Sequence, residues 1–167
     1  MKIIKFSPIF GNNVGDLIIS KSIEYAFAKK GVTVDSYDLF LRTPASFVSK
    51  SKSDDFRIRI STYLQLNHSF FFYNLKKIIF IISGTKKKIN MLTSDYDAVI
   101  FGGGNILMNK YGSDYAYRVS ELCKAVDKKS VIYAAGAGPF PFELKKLTGN
   151  LVENATTITV RDKRSLS

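Results

Sequence analysis

The sequence has little of several residue types on which whole classes of protein depend. Among its 167 residues are one cysteine, one histidine, four prolines and no tryptophan. A single cysteine excludes an internal disulfide framework and a zinc site built on cysteines. The first ten residues are too few and too polar for an export signal. We therefore expect a protein of a reducing, cytoplasmic compartment with no metal centre.

Negative charge is also scarce. The chain has 25 lysine and arginine residues against 14 aspartate and glutamate residues, which gives a formal net charge of +11. Hydrophobic residues make up 46% of the sequence and the mean hydropathy is close to zero, so the chain can bury a core and is not disordered. The length favours one domain. The positive charge indicates anionic partners without naming them.

Hydrophobic periods of two residues alternate with periods of three to four along most of the chain. Short apolar runs predict strands at residues 2–7, 32–37, 97–101, 130–135 and 156–160. Helical spacing falls between them, at residues 16–30, around 119–126 and at 142–154. Such alternation is typical of a parallel sheet covered on both faces. The sequence therefore predicts a single α/β domain over residues 1–167, with a Rossmann-like parallel sheet and helices on both of its faces.

Two of these helices have apolar stripes that predict their buried faces. The helix that precedes Gly31 is expected to pack through Ile19, Ile23, Ala26 and Phe27. The helix near residue 120 is expected to pack through Val119, Leu122, Cys123 and Val126. On this stripe Cys123 is interpreted as a packed core thiol and not as a nucleophile.

Residues 41–90 fit the alternation less well and are interpreted as a variable, partly helical insertion. Within it, residues 69–90 are strongly apolar but are broken by Asn74 and by lysines, whereas a membrane span needs about 20 apolar residues. One interpretation is an amphipathic helix that lies on a membrane surface with lysines as basic anchors, which would make the protein peripheral to the membrane. The other is a helix packed on the sheet through Phe71, Leu75, Ile78, Ile79 and Ile82.

Glycine-bearing loops follow three of the predicted strands. They cover residues 11–16, 102–105 and 136–139, and Arg161 follows a fourth strand. Parallel strands bring these ends to one edge of the sheet, where open α/β folds bind ligands. Glycine there allows a backbone to approach a ligand closely and leaves N–H groups for anions. Each glycine could instead merely turn the chain from strand to helix, but three such loops in register favour a shared site.

A dinucleotide site is the obvious alternative. Gly11 follows the first strand, Gly15 opens the first helix and Asp35 lies about 20 residues further on, as a nicotinamide fingerprint requires. However, the loop reads G-x-x-x-G-D, with Asn13 in place of the glycine that admits a pyrophosphate. Asp16 adds negative charge at the helix end where a phosphate would bind. The sequence contains no G-K-[ST] phosphate loop either, and we discount NAD as a cofactor.

Four sequence blocks, taken in order, resemble the polysaccharide pyruvyl transferase family. They are N-x-G-D at residues 13–16, D-x-V-I-x-G-G-G-N at 97–105, G-x-G-P at 136–139 and I-T-V-R-D-x-x-S at 158–165. Each block is short, but the ordered set spans nearly the whole chain. The resemblance implies the N-terminal half of a two-domain, GT-B-like enzyme. It also implies transfer of a pyruvyl group from phosphoenolpyruvate, a co-substrate and not a cofactor, to two hydroxyls of a sugar, which forms a cyclic ketal in exopolysaccharide or cell-surface glycan synthesis.

The sequence departs from this family where a second α/β domain would follow. In the family that domain supplies arginine and histidine residues that bind phosphoenolpyruvate and assist proton transfer, whereas this chain ends at Ser167. The single histidine, His68, lies in the variable region, and we do not assign the family's catalytic role to it. The catalytic acid and base are therefore unknown. We expect a partial form of the enzyme that is inactive alone; the alternative is a non-catalytic remnant or binding module of the same fold.

The matching blocks nominate residues that would contact the donor or the acceptor sugar. Arg161 is the leading contact for the donor's carboxylate or phosphate, because its planar guanidinium forms paired hydrogen bonds. The alternative is that Arg161 pairs with Asp162 and organises the next helix. Asp16 could bond to sugar hydroxyls or simply cap its helix. The predicted substrate-binding set comprises Asn13, Gly15, Asp16, Gly102, Gly103, Gly104, Asn105, Gly136, Gly138 and Arg161.

Nucleic acid is not an expected partner. The tyrosines and phenylalanines cluster in apolar runs and form no RNA-binding motif. The lysine run at residues 86–88 is expected to be a solvated surface feature. The expected partners are therefore phosphoenolpyruvate and a sugar or glycan acceptor.

Overall fold

The computed structural model describes residues 1–9, 14–42, 60, 63, 69–107, 115–137, 149, 151 and 153–163. The strands in this part of the chain are β1 (Lys2–Ser7), β2 (Thr33–Asp38), β3 (Ala98–Gly102), β4 (Ser130–Ala135) and β5 (Thr157–Val160). The helices are α1 (Val14–Ala28), α2 (Ser69–Ile82), α3 (Thr85–Thr93) and α4 (Tyr115–Ala125).

The strands form one parallel sheet in the order β2-β1-β3-β4-β5. β1 lies between β2 and β3, with Ile4 paired to Asp35 on one side and to Val99 on the other. Every residue of β3 is buried, which is why that strand reads as a continuous apolar run. The predicted α/β fold with a Rossmann-like parallel sheet is confirmed.

Helices cover both faces of the sheet, and the alternation of side chains along β1 separates the two layers. Ile3 points to one face and packs with Phe27 of α1. Ile4 and Phe6 point to the other face, where α2, α3 and α4 lie and the main core is formed. That core also includes Phe80, Ile89, Val99, Phe101, Val119, Leu122 and Ile132.

The apolar stripe predicted for α4 is confirmed. Val119, Leu122, Cys123 and Val126 are all buried in the main core. Burial raises the pKa of the Cys123 thiol to about 12, so the group stays protonated at neutral pH and is a poor nucleophile. Cys123 is a packed core thiol, as the stripe indicated.

α1 differs from its predicted form in its bounds and in its buried face. It runs from Val14 to Ala28, two residues earlier at each end than the predicted 16–30. Ile23 is buried as expected, but Ala26 is exposed, and the polar Ser20 is buried in its stead. Ser20 is buried because it bonds to Lys5 of β1, a polar contact that a pattern of apolar residues does not predict.

The packing face predicted for residues 69–90 is wrong. Phe72 and Phe80 are the buried residues of α2, at 3% and 8% exposure. α2 is apolar on nearly every side, so the period of its hydrophobic residues could not select the face that meets the sheet. The residues predicted to be buried are all exposed: Phe71, Leu75, Ile78, Ile79 and Ile82.

The helical segment is also interrupted. α2 ends at Ile82, Gly84 adopts a φ of 63°, and α3 begins at Thr85. Glycine allows this left-handed conformation, which breaks the run of helical backbone. Within the described residues, no helix combines the length and the apolar character needed to cross a membrane.

Other differences from the predicted elements are small. β1 and β4 match their predicted bounds, β2 and β3 are shifted by one residue, and β5 begins one residue later. Of the helix predicted at residues 142–154, Gly149, Leu151, Glu153 and Asn154 are helical and the others lie outside the described residues. His68 and most of residues 41–68 also lie outside them.

Candidate functional site

The loop after β3 meets the first turn of α1 at the carboxyl edge of the sheet. Gly104 adopts a φ of 94°, and a Cβ on it would overlap the carboxylate of Asp16. The positive φ favours glycine at this position, and a Cβ would also require the Asp16 carboxylate to shift. Gly104 therefore brings the loop after β3 directly against the start of α1.

Asn105, which follows the glycines, contacts residues from the ends of two other strands. Nη2 of Arg161, just beyond β5, donates to Oδ1 of Asn105 at 3.1 Å. A Cβ on Gly136, just beyond β4, would overlap Asn105 Oδ1 and lie 3.3 Å from Arg161 Nη2. The absence of a side chain at Gly136 is therefore what allows Asn105 and Arg161 to meet.

Backbone hydrogen bonds fix this arrangement. The Gly136 N–H donates to the carbonyl of Gly104 at 3.1 Å, and the Leu107 N–H donates to the carbonyl of Gly136 at 3.2 Å. The Arg161 N–H donates to the carbonyl of Ala135 at 3.1 Å. The three loops are thus tied to one another through their main chains, which holds them in a fixed arrangement.

The guanidinium of Arg161 remains accessible, with 48% of its side chain exposed. Its Nε lies 3.7 Å from Oδ2 of Asp162, a long ion pair between two exposed groups. Such pairs stabilise the folded state by about 1 kcal/mol at most. The shorter hydrogen bond to Asn105 orients the Arg161 side chain across the edge. Pairing with Asp162 therefore does not by itself explain the position of this side chain.

Gly102 and Gly103 are buried, and each position requires glycine for a different reason. Gly102 ends β3, and a Cβ on it would lie 2.6 Å from the backbone oxygen of Tyr133 on β4. Gly103 adopts a φ of 88°, and its Cβ position lies 3.5 Å from the backbone of Ser20 on α1. Close packing against β4 requires glycine at position 102, and the positive φ favours it at position 103. Contact of either residue with a substrate stays a prediction.

The remaining predicted residues lie at the start of α1 or outside the described part of the chain. Gly15 is exposed and Asp16 is half-buried, both within the first turn of α1, so Asp16 is not the cap that precedes the helix. Asn13 and Gly138 lie outside the described residues. Among the described residues, no group of three or more potential metal ligands is brought together.

A bulge in β4 directs the chain into this edge. The pairing of β4 with β5 is irregular between Ile132 and Ala135, and Ala134 adopts a φ of 51°, which is rare for alanine. The Ala134 N–H donates to Oγ1 of Thr159 on β5 at 2.9 Å. Bulges beside functional sites re-aim the backbone, and this one leads directly into Gly136.

Sequence reasoning missed a buried polar cluster beneath the edge. Lys5, in the middle of β1, is fully buried, and its Nζ donates to the carbonyl of Ser20 at 2.6 Å, to Ser20 Oγ at 2.7 Å and to Glu24 Oε1 at 3.0 Å. Ser20 Oγ donates in turn to Ser7 Oγ at 3.3 Å. Ser7 Oγ lies 3.5 Å from the Cβ position of Gly103, so the cluster reaches the glycine loop. The available signal was a lysine inside an apolar strand, facing a helix with Ser20 and Glu24 four residues apart.

The environment of this cluster shifts the pKa of both charged groups. Burial lowers the pKa of Lys5, and the hydrogen bond and charge of Glu24 oppose that shift. Burial would raise the pKa of Glu24, but hydrogen bonds from Lys21, Ser36 and Lys5 outweigh it and bring the value to about 2. Lys21 Nζ donates at 2.8 Å and Ser36 Oγ at 2.6 Å. Glu24 is therefore ionised at neutral pH and links α1 to both β1 and β2.

Asp35, the acidic residue of the discounted dinucleotide fingerprint, has protein partners. The Tyr96 hydroxyl donates to Asp35 Oδ2 at 2.7 Å, and Lys2 Nζ lies 3.6 Å from the same oxygen. Burial, together with this bond to a carboxylate, raises the pKa of Tyr96. The Asp35 carboxylate thus links β2 to the segment that precedes β3.

Comparison with known proteins identifies the family of the chain. A family model for polysaccharide pyruvyl transferase matches residues 13–167, a range that includes every residue of the edge described above. The match covers most of the chain, and the protein belongs to the polysaccharide pyruvyl transferase family, as its four sequence blocks indicated. Searches among curated proteins and among solved structures gave no match.

Proposed function

We propose that the carboxyl edge of the sheet binds phosphoenolpyruvate and supports transfer of its pyruvyl group to two hydroxyls of a glycan acceptor. In net terms, both hydroxyl oxygens bond to C2 of the donor while the bond from C2 to the phosphate oxygen breaks. One hydroxyl proton ends on the methylene carbon, which becomes a methyl group, and the other leaves with inorganic phosphate. The product is a cyclic ketal on an exopolysaccharide or another cell-surface glycan.

The observation that carries this proposal is the contact between Arg161 and Asn105 across Gly136. Arg161 stands at the end of β5 with its guanidinium half-exposed and oriented by Asn105 Oδ1 at 3.1 Å. A guanidinium held in this way presents its other N–H groups in a fixed plane, which suits the carboxylate or phosphate of the donor. Three loops from separate strands converge on it, as expected for a ligand site in an open parallel sheet.

The charges along the edge suggest separate places for donor and acceptor. The carboxylate of Asp16 lies against Gly104 at the start of α1, where it would repel an anionic donor. A carboxylate accepts hydrogen bonds from hydroxyl groups, and Asp16 therefore suits the acceptor sugar. We place the donor at the β5 end of the edge, beside Arg161, and the acceptor toward α1.

A second α/β domain of the GT-B-like kind would complete this site. Transfer of the pyruvyl group to two hydroxyls requires exclusion of water and orientation of both substrates, which an open sheet edge alone does not provide. The proposed second wall would also supply the acid and base. The described part of this chain contributes donor binding through Arg161, acceptor binding through Asp16 and backbone positioning through the glycine loops.

The test uses the natural full-length protein with phosphoenolpyruvate and a glycan acceptor. We expect release of inorganic phosphate and formation of an acid-labile ketal. Arg161→Ala should lower kcat/KM for phosphoenolpyruvate by about 100- to 1000-fold, the loss typical of one preorganised donor to a reacting anion. The kcat/KM of Arg161→Lys should lie between those of the unmodified protein and Arg161→Ala, because lysine keeps the positive charge but lacks the planar guanidinium.

Lys163→Ala is the matched control, since it removes one exposed positive charge two residues away. It should change kcat/KM by less than about twofold, because exposed charges are largely screened by salt. The circular dichroism and Tm of Arg161→Ala should match those of the unmodified protein. Unchanged turnover in Arg161→Ala would remove this residue from the donor site. Absence of phosphate release with every acceptor would favour a non-catalytic binding module.

A further inference from the structure

α2 has an outward apolar face. Four of its side chains recur at the spacing i, i+4, i+7 and i+11, which places them on one side of the helix. Ile79 and Ile81 flank this face. Exposed apolar side chains that form a contiguous group on a soluble fold mark a surface for interaction. The four residues are exposed by 40% to 79%: Phe71, Leu75, Ile78 and Ile82.

The inward side of α2 already attaches the helix to the protein. Phe72 and Phe80 are buried, and Phe80 belongs to the main core. The guanidinium of Arg118 on α4 lies 5.4 Å from the centroid of the Phe80 ring, which adds a polar contact on the same side. The outward apolar residues are therefore not needed to hold α2 on the fold.

Exposed lysines lie on α2 and α3, and three of them line a groove together with Ile81, which flanks this face. Lys77 of α2 and residues 86–88 of α3 are exposed, and residues 69–94 contain five lysines and no acidic residue. Three of these lysines occupy the first turn of α3, where the helix dipole disfavours cations. Their position weakens α3 itself, so helix stability does not explain it.

A groove of about 710 Å³ opens between α2, α3 and α4 beside these lysines. Phe80 and Ile81 contribute apolar surface to it. Glu121 also lines the groove, but Lys124 Nζ pairs with its Oε1 at 3.0 Å. Lysines beside an apolar lining match the phosphate and upper acyl chain of an anionic lipid. The lysines of the groove are Lys77, Lys86, Lys87 and Lys124.

We propose that the outward face of α2 and the exposed lysines of α2 and α3, together the α2–α3 surface, dock the protein on an anionic lipid bilayer. α2 lies in the plane of the interface with its apolar face toward the acyl chains, and the lysines contact lipid phosphates. Charge complementarity selects a lipid surface over a second copy of this chain, because two α2–α3 surfaces would bring like charges face to face. The proposal is independent of pyruvyl transfer.

The first test is co-sedimentation of the chain with vesicles of phosphatidylcholine alone and of phosphatidylcholine mixed with phosphatidylglycerol. We expect binding to the mixed vesicles only. Lys86→Ala/Lys87→Ala should lower the partition coefficient by about 25-fold, at about fivefold for each lysine near an anionic surface. Lys128→Ala/Lys129→Ala changes the net charge equally at exposed positions before β4 and should leave partitioning within about twofold.

The second test separates the apolar contribution from the charges. Ile78→Ser/Ile82→Ser should lose the binding that persists at about 0.5 M salt, where attraction between exposed charges is screened. Ile18→Ser is the control, since Ile18 is exposed by 60% on α1, on the other face of the sheet. All these residues are exposed, so circular dichroism should show unchanged folding.

Three results would overturn the proposal. The first is no binding to phosphatidylglycerol vesicles at low salt. The second is an equal loss in the two double-lysine variants, which would reduce the effect to net charge. The third is self-association, detected by light scattering, that Ile78→Ser/Ile82→Ser abolishes while vesicle binding is unchanged. That result would assign the face to a second copy of the chain.

Discussion

Gly104 and Gly84 illustrate two different reasons for glycine at a position in this fold. Both adopt a positive φ, of 94° and 63°. A Cβ on Gly84 would meet nothing within 4 Å, whereas a Cβ on Gly104 would overlap the carboxylate of Asp16. Gly84 therefore reflects backbone conformation alone, and Gly104 reflects backbone conformation together with close packing of a loop against α1.

Gly104→Ala should lower the free energy of unfolding by about 2–4 kcal/mol, from the left-handed backbone and from displacement of Asp16. Gly84→Ala should lower it by about 1–2 kcal/mol, from the backbone alone. Urea unfolding measures both. Asp16→Ala combined with Gly104→Ala should recover the difference, since it removes the overlapping atoms. Equal losses in the two single glycine variants would contradict the contact with Asp16.

The bulge in β4 is a strained element held by its neighbour. Ala134 adopts a left-handed backbone, and its N–H is satisfied by Oγ1 of Thr159. This side chain takes the place of a missing partner in the ladder between β4 and β5. The bulge and its acceptor form a unit, because an unpaired N–H at this position would cost stability.

Ala134→Gly should raise the free energy of unfolding by about 0.5–1 kcal/mol, because relief of the strained Cβ exceeds the entropy lost by glycine. Thr159→Val should lower it by about 0.5–1.5 kcal/mol, since the Ala134 N–H loses its side-chain acceptor at nearly constant volume. Thr157→Val, at an exposed position of the same strand, should stay within about 0.5 kcal/mol. Thermal unfolding measures the series, and a destabilised Ala134→Gly would argue against strain at the bulge.

Helices α2 and α4 show when sequence determines the packing of an element. α4 carries a narrow apolar stripe, so its period predicts the buried face that the structure confirms. α2 is apolar on several sides, and the choice between Phe72 and Phe71 depends on how the helix lies on the sheet. Lys5 is a similar case, because its burial depends on Ser20 and Glu24 being placed above it by tertiary structure.

At the scale of the whole molecule, the order of strands and helices was sufficient to predict that the glycine loops would meet at one edge of the sheet. Parallel strands joined by crossover connections all end at the same edge, so the glycine loops had to converge. The contact between Arg161 and Asn105 could not be predicted. It depends on the backbone path after the bulge at Ala134 and on the close approach at Gly136.

The acid stability of the molecule should depend on Glu24. Its pKa is about 2, below the ordinary 4.5 of an unfolded chain, so its contribution is present above pH 4.5 and is lost as the pH falls toward 2. The shift corresponds to about 3 kcal/mol. The difference in free energy of unfolding between the unmodified protein and Glu24→Gln should shrink by about this amount from about pH 5 to pH 2.

Glu153→Gln, at an exposed position, is the control for this measurement. The variant's free energy of unfolding should stay within about 0.5 kcal/mol of that of the unmodified protein, because substitutions at exposed positions rarely change stability by more. If the difference in free energy of unfolding between the unmodified protein and Glu24→Gln stays constant with pH, the ionised cluster around Lys5 is contradicted.

The buried ammonium of Lys5 also sets a register between α1 and β1. An interface made only of aliphatic side chains tolerates small slides, because one apolar contact replaces another at little cost. Here a displacement of one helical turn, about 5.4 Å, would break the hydrogen bonds that the buried Lys5 ammonium donates to the carbonyl and hydroxyl of Ser20. The bonds from Lys5 to Ser20 and Glu24 therefore favour one register of α1 on β1. Asp16 lies one turn before Ser20 on the same helix. The bond between Lys5 and Ser20 therefore also fixes the distance from Asp16 to the glycine loop.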